Sequence, residues 1–365
     1  MRKVSLVLSF CICLLLQRVS LAAPLNPSDT LPVRGFSVAA PSPTELEAFV
    51  KFIRDELGPR NINTLILRVD YNYQYVTHPE LRQENALSKA DVKKIVDECK
   101  RFGIRIIPQI NLLGHQSWAN KTGKLLEVYP QFDETPWVKM PEKYAWPNDD
   151  GLYCKSYCPL HPEVHKIVFK LVDEVCDVFE ADAFHAGMDE VFYIAEKKCK
   201  RCSGKDPAEL FAGEVSKIRN HLALKGRSLW IWGDRLIDGK TTGIGEWEAS
   251  MNNTYRAIDM IPRDVVICDW HYERGDQTAV YFAMKGFGVV TCVYRKAQTG
   301  LLQLSDMYKF REQSTPQMKG RFLGVVSTAW SGAGAFLNEF YGKQPVENKE
   351  RGSVADTFKA VFPKP

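Results

Sequence analysis

The sequence predicts an α/β fold: a closed (β/α)8 TIM barrel forming a single catalytic domain over residues 30–365. Three observations carry that reading. Eight short apolar runs rich in β-branched residues alternate with amphipathic stretches, the pattern of a parallel sheet covered by helices. Polar and aromatic residues gather just past the ends of those runs, where barrel enzymes keep their sites. No composition break or low-complexity linker divides the chain. An open doubly wound sheet is the alternative, but no Gly-rich phosphate turn follows any of the runs.

The first strand is "VRGFSVA" (33–39), followed by the helix "PTELEAFVKFIRDEL", which Ser42 or Thr44 can cap. "NTLILRV" (63–69) is the second strand, and "SKADVKKIVDECKRFG" a helix running from Ser88 to the stop at Gly103. "IRIIPQI" is the third strand. The helical spacing of "HPEVHKIVFKLVDEVCDVFE" leads into the fourth, "DAFHAG". The helix "PAELFAGEVSKIRNHLALKG" precedes the fifth strand, "SLWIWG", and "DVVICDW" is the sixth. A helix over "DQTAVYFAMKGFG" and strands over "VVTCVY" and "FLGVVSTAW" complete the set. The connection from Leu112 to about Pro159 is long and carries Trp118, Trp137 and Trp146, which suggests a lid over a site.

A hydrophobic fraction of 45% allows a large core. A net charge of +4, with no basic run longer than "EKKCKRC", gives no reason to expect nucleic acid or an anionic membrane as partner. At the N-terminus, Arg2 and Lys3 precede an apolar run from Val4 to Leu16 and then "QRVSLAA", the layout of a secretory signal peptide. Residues 1–22 are expected to be that signal, cleaved after Ala22 or Ala23. The mature chain would be exported, periplasmic or extracellular, with no membrane span. Only a short stretch separates this signal from the first strand, so no further domain is expected before the barrel.

Export bears on the cysteines. Cys154 and Cys158 in "CKSYC", and Cys199 and Cys202 in "CKRC", lie in loops as two close pairs. An oxidising compartment favours disulfides there, and a structural zinc site is the competing reading. Cys99, Cys176, Cys268 and Cys292 fall inside helix or strand patterns and read as small buried hydrophobes.

The strand ends supply the candidate chemistry. Asp70 follows the second strand, where it could serve a site or pair with Arg68. His115 follows the third, and Trp232, Trp270 and Trp330 follow the fifth, sixth and eighth. Apolar aromatic faces at a barrel mouth suit the C–H faces of sugar rings. The pair Asp189-Glu190 in "AFHAGMDEVF" has the weakest structural explanation, because adjacent like charges ending an apolar strand are costly unless compensated. Neither H-E-x-x-H nor a His cluster occurs, and His161 and His165 open a helix, so no catalytic metal or other cofactor is expected. No G-x-S-x-G elbow is present either. Paired carboxylates and aromatic walls on a barrel point to glycoside hydrolysis, with carbohydrate as the partner.

Four segments carry a resemblance to a known family. "FHAGMDEVF" resembles the H-x-G-G-D-E motif of family-20 glycoside hydrolases, the β-N-acetylhexosaminidases, with Met188 in place of the second Gly. "IIPQINLLGH" is similar to that family's P-E-I-D-x-P-G-H, with His115 in the His position. "LWIWGDRLI" and "VVSTAWSG" resemble its strand-five and strand-eight segments. The resemblance implies that Glu190 is the general acid/base. It implies that Asp189 orients the substrate's 2-acetamido group, whose carbonyl oxygen attacks C1, an exception to the two-carboxylate scheme. His115 and His185 would support the carboxylates by hydrogen bonding. Trp232, Trp270 and Trp330 would wall the sugar, Tyr294 would bond the acetamido carbonyl, and Asp234 would bind a hydroxyl.

Three positions depart from the family pattern. No Arg follows the first strand, Ser331 and Gly332 stand where a Glu follows the strand-eight Trp, and Asn111 replaces an Asp. Two other readings follow from these departures. One is a glycosidase of the same fold using Asp70, Asp234 or Glu273 as nucleophile on other sugars. The other is a non-catalytic glycan-binding barrel.

Overall fold

Each apolar run forms a strand that is buried on both faces, as a parallel sheet covered by helices requires. The strands are β1 (Val33–Ala39), β2 (Thr64–Arg68), β3 (Arg105–Leu112), β4 (Ala183–Gly187), β5 (Ser228–Trp232), β6 (Val266–Trp270), β7 (Gly288–Val293) and β8 (Phe322–Thr328). They pair in sequence order, all parallel, and β1 closes on β8 through Val33↔Gly324 to Ser37↔Thr328. The result is the (β/α)8 barrel. The structure, a computed structural model, describes residues 31–143, 154–344 and 351–365. The expected signal peptide and Trp146 lie outside the described residues, within which no helix is long and apolar enough to cross a membrane.

The longer helices are α1 (Leu46–Phe52), α2 (Lys89–Arg101), α3 (Val164–Val178), α4 (Pro207–Ala223), α5 (Thr278–Met284), α6 (Ala297–Gln313), α7 (Ala333–Phe340) and α8 (Val354–Val361). Ser88 caps α2 as expected: its side chain accepts from Asp91 N, while the Asp91 carboxylate accepts from Ser88 N. The cap of α1 differs from expectation. Neither Ser42 nor Thr44 caps it; Glu45 precedes the helix and its carboxylate accepts from Ser42 N at 2.8 Å. The chain then continues past α1 as a π-helical turn, Ile53–Leu57.

Helices α6, α7 and α8 go beyond the elements that the sequence pattern predicts. The last two close an aromatic cluster outside β1, where Phe36 meets Phe336 at 4.9 Å and Phe358 at 5.0 Å between ring centroids. Phe52 of α1 meets Phe340 at 5.1 Å. Inside the barrel, Trp230, Trp232 and Cys268 join aliphatic residues in a separate packed core. The register aligns the strand ends: Ala39 sits beside Arg68, Leu112 beside Gly187 and Trp270 beside Cys292. That alignment gathers the loops carrying the candidate residues at one rim.

Candidate active site

The rim surrounds a cavity of about 990 Å³. Asp70, His115, Asp189, Glu190, Trp270, Tyr294 and Trp330 all line it, as the strand-end argument expects. His185, Trp232 and Asp234 do not line it. They lie buried, and Trp232 packs 5.3 Å from the Trp330 ring.

The backbone at the end of β4 is unusual. Gly187, Met188 and Glu190 all have φ in the left-handed region, at 67°, 71° and 49°. Glycine suits the first position, where a Cβ would meet Asn111 Oδ1 at 2.5 Å. Met188 adopts the same region without that freedom, at a cost of about 1–2 kcal/mol. Gly114 in the loop after β3 lets that loop approach, since a Cβ there would lie 2.4 Å from Asp189 O. Left-handed φ at Asp70, Leu113 and His115 completes a rim of strained turns, a pattern common at functional sites.

The turn aims both carboxylates at one imidazole. His115 Nε2 lies 3.1 Å from Asp189 Oδ2 and 3.3 Å from Glu190 Oε2. Burial disfavours charge on Asp189, but His115 outweighs it and holds the carboxyl below the usual range. Burial likewise opposes charge on His115, and Cys154 and Asp189 together raise its pKa well above the ordinary value. The Cys154 thiol itself, pushed up by burial, donates to Glu190 Oε2 at 3.1 Å and lies 3.6 Å from His115 Nδ1. The two members of the first cysteine pair therefore have different settings: Cys154 meets Glu190 and His115 from behind the cavity wall, while Cys158 lies beside Cys199 and Cys202. All eight cysteines among the described residues are unbridged, so the expected disulfides are not formed.

Below the carboxylates, Asp234 holds the turn in place. Its Oδ2 accepts from Glu190 N at 2.9 Å and from Arg235 Nε at 2.6 Å, and Trp270 Nε1 donates to Oδ1 at 3.3 Å. Burial pushes its pKa up to about 6, against Arg235. His185 does not hydrogen-bond a carboxylate as the resemblance implied. Its Nδ1 accepts from Gly187 N at 3.0 Å, which leaves the proton on Nε2 in the neutral ring.

At the end of β2, Asp70 Oδ1 accepts from Asn111 N at 2.8 Å, and burial raises its pKa. Aromatic residues connect the remaining walls. Trp330 Nε1 donates to Tyr272 OH at 2.8 Å, and Tyr272 stands 5.0 Å from the Tyr294 ring and 5.2 Å from Trp270. Trp118 lines the mouth from the long loop, 5.9 Å from His115. Trp137 instead lies near Lys198 and does not line the cavity.

Sequence reasoning misses several wall residues. Trp247 and Glu248 come from the loop after β5, and Arg235 Nη2 holds that loop through the carbonyls of Trp247 and Ala249. Arg68 reaches the cavity from β2, with its guanidinium 5.0 Å above the Trp330 ring. In the sequence it stands out only as a partner for Asp70. Its place as the last residue of β2 is the signal that could have found it.

Residues 68–334 match the catalytic domain of glycosyl hydrolase family 20. A lacto-N-biosidase of Bifidobacterium bifidum is 28% identical over 174 residues, covering 44% of this chain and 14% of that protein. A beta-hexosaminidase of Akkermansia muciniphila is 28% identical over 156 residues, covering 41% of this chain and 30% of that one. The chain thus matches less than a third of the length of either relative. The crystal structure of a beta-N-acetylhexosaminidase superposes with a TM-score of 0.65 at 19% identity, covering 91% of this chain and 72% of the other. With the family match spanning most of the barrel and its rim, the chain belongs to glycosyl hydrolase family 20.

Proposed function

We propose that the protein is a retaining exo-β-N-acetylhexosaminidase that removes terminal 2-acetamido sugars, GlcNAc or GalNAc, from glycans by substrate-assisted catalysis. One observation carries this reading: a single imidazole nitrogen stands within 3.3 Å of both adjacent carboxylates on the wall of an aromatic cavity. The names of its relatives, beta-hexosaminidase among them, agree with it.

Glu190 then donates a proton to the glycosidic oxygen as the C1–O bond breaks. Asp189, ionised beside His115, orients the 2-acetamido group so that its carbonyl oxygen attacks C1 and closes an oxazolinium ring. Water, deprotonated by Glu190, reopens the ring at C1, and the two inversions retain configuration. Trp270, Tyr294 and Trp330 contact the sugar. His185, Trp232 and Asp234 support the turn from beneath, and Asp70 with Arg68 faces the hydroxyls.

The test is turnover on a panel of aryl glycosides. Hydrolysis confined to N-acetyl-β-hexosaminides, and inhibition by a thiazoline analogue, are expected; full activity in Asp189→Ala would sink the mechanism. A second reading rests on Asp70, a buried carboxyl on the cavity wall, as nucleophile toward other sugars. Trapping a covalent glycosyl-enzyme on Asp70 would favour it. No turnover on any substrate would leave a glycan-binding barrel. We also propose export with removal of residues 1–22, which N-terminal sequencing of the mature protein checks.

A further inference from the structure

Away from the cavity, three of the loop cysteines meet a buried carboxylate. The ligand atoms of Glu134, Cys158, Cys199 and Cys202 all lie within 4.8 Å of one another, and all four residues are buried. The Cys158 sulfur stands 3.3 Å from that of Cys202 and 3.7 Å from that of Cys199. Sulfurs bound tetrahedrally to one zinc at about 2.3 Å would be separated by roughly 3.8 Å. A disulfide needs about 2.0 Å.

The frame around the four groups is built from backbone. Residues 132–134 pair with 156–158 through Glu134 N to Ser156 O at 3.0 Å and Cys158 N to Phe132 O at 2.7 Å. Cys199 and Cys202 form a C-x-x-C turn, in which Ser203 N bonds Cys199 O at 3.0 Å. That spacing is usual for a structural zinc site. Glu134 Oε1 accepts from Glu196 N at 3.1 Å, while its buried Oε2 has no hydrogen-bond partner of proper geometry. The C-x-x-C lies within the basic "EKKCKRC" segment.

We propose that Cys158, Cys199, Cys202 and Glu134 form a structural zinc site that ties the long loop after β3 to the loop after β4. A Cys158–Cys202 disulfide would use two of the four groups and leave Cys199 and the Glu134 oxygen stranded; one metal ion satisfies all four. The tie fixes the base of both loops: one carries His115, Trp118 and Cys154, and the other carries Asp189 and Glu190. Because the ligands must be deprotonated, loading releases protons and weakens as pH falls.

The test uses the untagged full chain. Metal analysis after gel filtration is expected to give about one zinc per chain. Cobalt(II) added to the chelator-stripped, reduced protein should give thiolate charge-transfer absorption and tetrahedral ligand-field bands. Glu134→Gln should lower zinc affinity at least roughly tenfold, while Cys176→Ser, in α3, should leave it unchanged. Chelator should lower the Tm of the wild-type protein but not of metal-free Cys199→Ala. A purified chain that neither holds zinc nor takes it up when reduced would overturn the proposal. So would a native Cys158–Cys202 disulfide found by peptide mass analysis.

Discussion

Two buried carboxylates in the same barrel have opposite surroundings. Glu214 of α4 is fully buried and fully partnered: Tyr157 OH donates to it at 2.6 Å, and His165 Nε2 lies 2.9 and 3.0 Å from its two oxygens. It sits in regular helix. Asp189 is buried too, yet its Oδ1 has no partner and both of its chain neighbours are in left-handed conformation. A satisfied carboxylate serves the fold. An incompletely satisfied one, held in strain and facing a cavity, has capacity left for a ligand.

Substitution should separate the two roles. Asp189→Asn keeps the shape but removes the charge, and kcat should fall roughly 10²–10³-fold with little change in Tm. Steady-state kinetics beside thermal melts would show it; a large loss of stability with kcat unchanged would erase the distinction. Glu214→Ala should do the reverse. It strands Tyr157 and His165, costing about 2–3 kcal/mol in denaturant unfolding, while the folded fraction keeps its kcat.

Titration probes a third case between these. His271 is buried against Asp269 at 3.1 Å and Glu248 at 2.9 Å. Burial works against its charge, but the two carboxylates outweigh it and push its pKa up to about 10. A folded pKa above the unfolded value of about 6.5 means the stabilisation is full below that pH and is lost as pH rises toward 10. The expected size is a few kcal/mol. The Asp189–His115 pair adds to this with both signs. Its stabilisation fades as pH rises through the raised His115 value, and also as pH falls through the lowered Asp189 value. Unfolding free energy measured from about pH 6 to 10 should decline in wild type and be flatter in His271→Gln.

What the sequence discloses follows from how each feature is encoded. The strands are legible because double-sided burial leaves continuous apolar runs. Helix α6 is not, because Gly300 and Gln303 occupy buried positions on its inner face and blur the apolar period. Asp189 and Glu190 are legible because they are adjacent. Cys154 reaches Glu190 from 36 positions away, and Arg68 acts from the end of a strand. No local spacing announces either contact. Glu134 is a similar case: a single carboxylate ligand leaves no motif, whereas the C-x-x-C it faces does.

The smallest effect tests whether strain in the turn from Gly187 to Glu190 is separable from the chemistry proposed for it. Met188 combines a left-handed φ of 71° with a completely buried side chain. Met188→Gly relieves about 1–2 kcal/mol of backbone strain and forfeits about 2–4 kcal/mol of packing. The lost packing outweighs the relieved strain, so Tm should drop modestly, with a net loss near 1–2 kcal/mol. Glycine reaches the same φ freely, Asp234 still holds the Glu190 backbone N–H, and His115 still meets the Asp189 carboxylate. The kcat should therefore stay within about twofold of wild type. A large fall in kcat at unchanged Tm would mean that the buried thioether itself sets the position of Asp189, and that packing and chemistry are fused at this turn.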